Sequence, residues 1–208
     1  MDFDRHGGAR LGARRHFARE ATIFRQGDVA HGWHEVVEGM ARVCKFRSDG
    51  RRQVLAFAVP GDVIGLEYGR RDACAEALTP MTLVYHPFDA DDARNGLPWD
   101  RVLRDNHHCL TLMGLPTAIE RVAAFILSIS RRLGGARAFD LPMPRVDIAD
   151  HLGLTMHTVS RTLCDLARRS VLRIDAHHHF QLIDPTGLAT IAGIDPDEFY
   201  FDEEQLVA

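Results

Sequence analysis

The chain has 208 residues, of which 46% are hydrophobic and 26% charged, and it carries a net charge of −4; a chain of this length buries a core without disulfides or structural metals. No apolar run approaches the roughly 18 residues of a membrane span, and the N-terminal MDFDRHGGARLGARRHF lacks the apolar block of a secretory signal, so a transmembrane protein is excluded and a cytoplasmic one expected. Residues 184–208 hold seven carboxylates and no Lys or Arg, which leaves +3 for the remainder, so the acidic total does not exclude a nucleic-acid partner.

From Thr22 to Phe88 the chain reads as short β-rich runs: TIF, WHEVVE, ARVCKF, VLAFAV, VIGL and TLVY. Gly27, Gly39, Gly50 and Gly61 are spaced 12, 11 and 11 residues apart, the strand-and-turn rhythm of an antiparallel sandwich or jelly roll. Asp49-Gly50 is the clearest hairpin turn, because glycine accepts the positive φ that tight turns require. Cys44, Cys74, Cys109 and Cys164 stand 30 or more residues apart, so no local loop holds zinc or an iron–sulfur cluster, and separate reduced thiols are expected.

After Pro98 the period becomes helical. Trp99, Val102, Leu103, Leu110 and Met113, with Asn106 on the same stripe, predict an amphipathic helix of about 15 residues. Such a seam fits a second copy of itself, with Asn106 fixing register, and it equally fits packing on the chain's own β domain. Gly114-Leu115-Pro116 ends it, and proline suits the first turn of the next helix. That helix carries Ile119, Val122, Ile126, Ile129 and Leu133 at core spacing and stops at Gly134-Gly135.

Residues 144–184 predict a helix-turn-helix. Ile148, Ala149 and Leu152 form the inner face of a short helix, Gly153 is the turn residue, and Thr155 caps a second helix with Val159, Leu163 and Leu166 inside. At about 100° per residue, His157, Ser160, Arg161, Cys164 and Arg168 then face outward together. An exposed face of Arg, Ser and His near a helix N-terminus suits the major groove. Arg161 matches a bidentate contact to guanine and Ser160 a base edge, while Arg145, Thr155 and Thr158 match phosphate contacts. VLRI and FQLI, joined across Asp175-Ala176-His177-His178-His179, predict a β-hairpin wing. Lys45 is the one lysine among 25 basic residues, and the arginine fork is the better reader of phosphates and guanine edges.

In IFRQGD, VVEGMARV, VPGDVIGLE, AIERVAAFILSISRRLG and DIADHLGLTMHTVSRTL, the chain resembles the Crp/Fnr superfamily of bacterial transcription regulators from about residue 20 to 193. GLTMHTVSR looks like the Fnr and FixK branches, and the lack of an N-terminal cysteine cluster favours FixK. The resemblance implies an α+β chain: an N-terminal β-roll, jelly-roll-like and similar to cyclic-nucleotide-binding domains, over 1–97; linking and dimerisation helices over 98–133; a C-terminal winged helix-turn-helix over 134–193; and an acidic tail over 194–208. It implies a regulator, more often an activator, that binds double-stranded DNA as a homodimer and works with RNA polymerase. It makes Arg161 the guanine reader of a TTGA-type half-site, Ser160 a neighbouring base contact, and puts His157 where the family's usual glutamate stands. His157 thus departs from the pattern, and so does the helix after Pro98, shorter than in relatives.

Several sensing chemistries fit the fold. A cyclic nucleotide would meet Arg71-Asp72 where relatives have Arg-Ser, and Asp72 sets a carboxylate against the phosphate; Glu67 resembles their ribose-binding glutamate. An iron–sulfur cluster lacks a local ligand set. Cys164, one turn after Ser160 and Arg161, is a candidate redox site, since oxidation there adds bulk and charge against DNA. Haem or gas binding through His107-His108 or His177-His178-His179 is a further alternative. From another class, His31, His34, Glu35 and Glu38 suggest a metal-binding cupin-like enzyme, but strand residues three apart point to opposite faces. No nucleophile–base arrangement stands out, so no enzyme, metal or cofactor is expected.

Overall fold

A computed structural model describes residues 12–88, 97–175 and 178–195. Two four-stranded sheets build the N-terminal roll. The first has the order β1-β10-β4-β7, from β1 (Ala13–Phe17), β4 (Gly32–Glu38), β7 (Val63–Ile64) and β10 (Met81–Pro87). The second has the order β2-β9-β5-β6, from β2 (Thr22–Phe24), β5 (Ala41–Phe46), β6 (Arg52–Ala58) and β9 (Cys74–Ala77). A small pair, β3 (Val29–Ala30) with β8 (Gly69–Arg70), completes it. Each of the six β-rich runs legible in the sequence supplies a strand. The edge strand β1 escaped notice because four of its five residues are exposed and basic or small, which leaves no alternation to read. The four glycines at regular spacing all have positive φ. At Gly39 a side chain would also run into the Pro80 carbonyl and Met81, so glycine is needed there twice over.

One core fills the space between the sheets, with Val36, Ile64, Met81 and Leu83 from the first against Phe24, Ala41, Ala58, Ala75 and Ala77 from the second. The second sheet is buried on its other face as well. Cys44, Val54, Phe57 and Cys74 turn away from the roll's interior and join a core that continues through the helices. A register shift at Val43/Cys44 lets Val54 and Phe57 reach that same side.

Helix α1 spans Trp99–Gly114 and α2 spans Ala118–Arg132. The sequence places Pro116 in the first turn of α2, but the helix starts two residues later, at Ala118. Thr117 is the cap, accepting from the Glu120 amide while the Glu120 carboxylate accepts from the Thr117 amide. Val122 to Ser130 are all buried, and the hydroxyls of Ser128 and Ser130 donate to the Phe125 and Ala136 carbonyls. α2 is therefore the internal axle of the molecule, sheathed on every side.

The C-terminal unit contains β11 (Ala138–Asp140), α3 (Arg145–Leu152), α4 (Met156–Arg168), β12 (Leu172–Asp175) and β13 (His179–Leu182). Its strands pair in the order β11-β13-β12, so the anticipated two-stranded wing gains a third strand. Ala176 and His177 of the wing turn, and residues 196–208 of the acidic tail, lie outside the described residues. A further helix, α5 (Pro185–Ala192), packs on α2. The sequence reading missed α5 by taking Asp184 as the start of the acidic segment. Its signals were present: Asp184 caps through the Gly187 amide, Pro185 opens the first turn, and Gly193 closes it in the left-handed region.

Leu152, with no exposed surface, sits where α3 meets α4. Leu152→Ala is expected to cost about 2–5 kcal/mol of unfolding free energy, read as a lower urea midpoint in equilibrium denaturation.

Candidate nucleic-acid interface

α3 and α4 are joined by a tight left-handed corner. Gly153 caps α3 with φ of 63°, and a side chain there would stand 3.3 Å from the Met113 terminal methyl. Thr155 caps α4 by accepting from the Thr158 amide at 3.1 Å, and the two threonine hydroxyls lie 2.8 Å apart. Val159, Leu163 and Leu166 are buried, which turns the opposite side of α4 to solvent.

On that side His157, Arg161, Cys164 and Arg168 are exposed and Ser160 is half-buried, so all five share one face at helical spacing. Among the described residues no hydrogen bond or ion pair engages the side chains of His157, Ser160 or Arg161. Arg168 differs, since it meets the Asp165 carboxylate at 3.1 Å, as Arg169 does at 3.2 Å. Arg145 is half-buried at the first position of α3. In the wing, His178 Nδ1 lies 3.1 Å from the Leu141 carbonyl and His179 Nδ1 lies 2.7 Å from Asp140.

The α1 stripe divides. Trp99, Leu103, Asn106 and Leu110 are exposed at alternating four- and three-residue steps, and Met113 is half-buried. Val102 turns toward the roll and lines, with Leu112, Phe57 and His108, a cavity of about 310 Å³ beneath α1, whose rim Trp99 and Asn106 also reach. His108, one of the histidines considered for haem or gas binding, points inward with its Nε2 unpartnered among the described residues; burial, helped by Arg131 and Arg132, pushes its pKa down to about 4.

The Arg71-Asp72 pair, which the resemblance sets against a cyclic phosphate, is engaged within the roll. Arg71 is buried and donates to the Gly65 and Gly32 carbonyls and, at 3.2 Å, to Glu67, with its guanidinium 4.6 Å over the Phe24 ring. Asp72 is held by Lys45 at 2.6 Å. His34 is buried between Phe24 and Tyr85, and desolvation, reinforced by Arg71 and Arg15, pushes it down to about 4. His31 is exposed, and among the described residues no three His, Cys, Asp or Glu side chains converge as a metal site. Burial pushes the Cys44 thiol up to about 12 and raises those of Cys74 and Cys109; Cys164 alone of the four is exposed.

Residues 14–90 match the cyclic nucleotide-binding domain family and residues 120–191 the Crp-like helix-turn-helix domain family. The nitrogen fixation regulation protein FixK of Bradyrhizobium diazoefficiens is 36% identical over 88% of this chain and 83% of its own length. The chain belongs to the FixK-like branch of the Crp/Fnr transcription regulators. FixK of Azorhizobium caulinodans is 39% identical over 86% of this chain and 79% of its own. The solved structure of FixK2 from Bradyrhizobium japonicum superposes with a TM-score of 0.77 at 34% identity, covering 87% of this chain and 97% of that one. A CRP-family regulator from Thermus thermophilus, 22% identical, shares the fold with a TM-score of 0.71 over 87% of this chain and 97% of its own. The regulator thus carries a helix-turn-helix DNA-binding domain behind a roll of the cyclic-nucleotide-binding type.

Sequence reasoning did not find the junction between these units, where Arg42 and Arg52 of the roll meet Asp147 and Asp150 of α3. The visible signal was charge inside otherwise apolar runs, ARVCKF and RQVLAF.

His34 and His108 stay neutral in the folded regulator down to about pH 4, whereas in the unfolded chain they take protons near pH 6.5. The unfolded state therefore binds more protons between these values, and stability, full above about pH 6.5, falls as the pH drops toward 4. Urea midpoints at pH 7 and pH 5 are expected to differ, and His34→Phe, which keeps the aromatic stack, is expected to narrow the difference.

Proposed function

We propose that this regulator is a cytoplasmic homodimer that activates transcription by reading a TTGA-like palindrome through α4. One observation carries the reading: Arg161 stands on the solvent face of α4, its side chain without a partner among the described residues, with Ser160 beside it and His157 one turn earlier. A guanidinium so placed offers two parallel N–H donors to the O6 and N7 of guanine. Ser160 contacts a neighbouring base edge. His157 stands where a carboxylate would accept from cytosine; an imidazole presents a different donor and acceptor set, so the base preference opposite it departs from the family's usual one. Thr155, Thr158 and Arg145 position the unit on phosphates.

The occupant of the α1 seam is a second copy of the chain. Trp99, Leu103 and Leu110 are exposed apolar side chains at coiled-coil steps with Asn106 among them, a pattern that pairs with itself around a two-fold axis. Two copies then read two half-sites of a palindrome. The roll over 1–97, the helices over 98–133 and the winged unit over 134–193 are the working divisions, and RNA polymerase is the partner that the resemblance implies. Arg71 is committed inside the roll, which favours a regulator that responds to something other than a cyclic nucleotide. Cys164 is the exposed thiol on the DNA-facing side, so its oxidation sets bulk and charge against the phosphates.

Fluorescence anisotropy with a duplex carrying TTGAT and ATCAA four base pairs apart, against a scrambled duplex, tests this reading. Arg161→Ala is expected to lose about 1–3 kcal/mol on the palindrome and to relax specificity at one base pair; equal loss on both duplexes reduces Arg161 to a phosphate contact. Arg145→Ala is expected to weaken both about equally and to flatten the salt dependence. Reversible oxidation should abolish palindrome binding in the wild type and leave Cys164→Ser unaffected.

A further inference from the structure

Asp147, in the first turn of α3, has no exposed surface, and both its oxygens are taken by guanidinium groups of the roll. Arg42 Nη1 donates to Oδ2 at 2.5 Å, and Arg52 Nη2 donates to Oδ1. Arg52 Nη2 also donates to Asp150 Oδ2 at 2.8 Å, one turn further along α3. Arg42 is braced from its own sheet by Glu76, whose Oε2 accepts from Nη2 at 2.6 Å and from Nε at 3.0 Å. Burial lowers both guanidinium groups, but their carboxylate partners outweigh it and hold Arg42 and Arg52 above the ordinary arginine range. Beside the cluster His151 is seated edge-on to Phe57 with ring centroids 5.3 Å apart, and its Nδ1 lies 3.3 Å from the Val54 carbonyl.

Apolar contact is non-directional and leaves a helix free to roll or slide on a sheet. Forked guanidinium–carboxylate pairs are directional, and a carboxylate taken wholly out of water is tolerated only while it stays paired. Any rotation of α3 on β5 and β6 would strand Asp147, so one docking angle is selected. α3 packs directly on α4, so the angle of α3 is also the angle at which His157, Ser160 and Arg161 are presented.

We propose that Arg42 and Arg52 are positioning residues for DNA recognition: by gripping Asp147 and Asp150 they set the direction of the reader helix relative to the roll, and with it the half-site spacing that two copies accept. The proposal rests on the DNA-reading role of α4 given above.

The test uses the full-length regulator with Arg52→Gln, Asp150→Asn and the double variant, each of which leaves Asp147 paired with Arg42. Anisotropy is measured on a single half-site duplex and on palindromes with spacers of two to six base pairs, and amide hydrogen exchange is followed over 52–58 and 145–152. The wild type is expected to favour one spacer by about fivefold or more, the cost of at least one wrong base pair. In Arg52→Gln that preference is expected to fall below about twofold while single half-site affinity stays the same, with faster exchange confined to the two interface segments. Asp150→Asn should behave alike, and the double variant should lose little more than either single change, because both remove one shared interaction. An unchanged spacer preference overturns the proposal, as does a parallel loss on the single half-site, which marks a purely structural role. If the wild type does not distinguish palindrome from scrambled DNA, the DNA-reading assignment fails and this proposal with it. Faster interface exchange in Arg52→Gln would then identify the cluster as a domain clamp without a reader.

Discussion

The second sheet of the roll is buried on both faces, and the rest of the molecule is arranged by that fact. A sheet that faces water on one side needs only a single apolar face, but β5, β6 and β9 must fill two cores at once. Small residues meet this demand in β9, where Cys74 faces the helices and Ala75 the interior of the roll. In β6, Phe57 reaches outward to meet Phe125 of α2 with ring centroids 5.8 Å apart. Because α2 is buried from Val122 to Ser130, it transmits that contact to the winged unit as continuous packing. Roll and reader share one core.

Polar groups then give the shared core its directions. Arg132 at the end of α2 donates to the Phe57 carbonyl at 2.8 Å and pairs with Asp62 of the roll. Arg121 donates to the Leu115 carbonyl at 2.8 Å and to the Leu152 carbonyl at 3.3 Å, tying the α1–α2 corner to the end of α3. Each of these guanidinium groups satisfies a backbone oxygen that packing would otherwise orphan. Arg71 does the same for Gly32 and Gly65, and so ties two loops of the roll together. The roll in this regulator supports α1 and carries the DNA-binding unit.

Most of the architecture was legible in the sequence because it depends on local chemistry. Positive-φ glycines at Gly27, Gly39, Gly50 and Gly61 punctuate strands, and the outward set on α4 follows from helical period alone. The first turn of α2 was placed two residues early, since Pro116 is a good opener and Thr117 a good cap, and only the reciprocal bonds between Thr117 and Glu120 decide between them. Val102 was assigned to the α1 seam because periodicity defines a stripe without saying which neighbour covers each edge of it. The Arg42–Asp147 and Arg52–Asp147 pairs join residues 105 and 95 positions apart. No local pattern announces such a pair; an aspartate in the first turn of a helix reads as ordinary dipole compensation until the opposing sheet is in place.

The Lys45–Asp72 pair has a consequence for how the regulator's charge can be controlled. It commits the chain's one lysine to the roll, so the permanent positive charge of the winged unit is entirely guanidinium. Guanidinium groups keep their proton at any pH the cell reaches and are not substrates for lysine acetylation. The electrostatic attraction of this surface for a polyanion is therefore fixed by covalent structure, adjustable by ionic strength and by what the neighbouring histidines and thiol do, and indifferent to acyl-transfer chemistry.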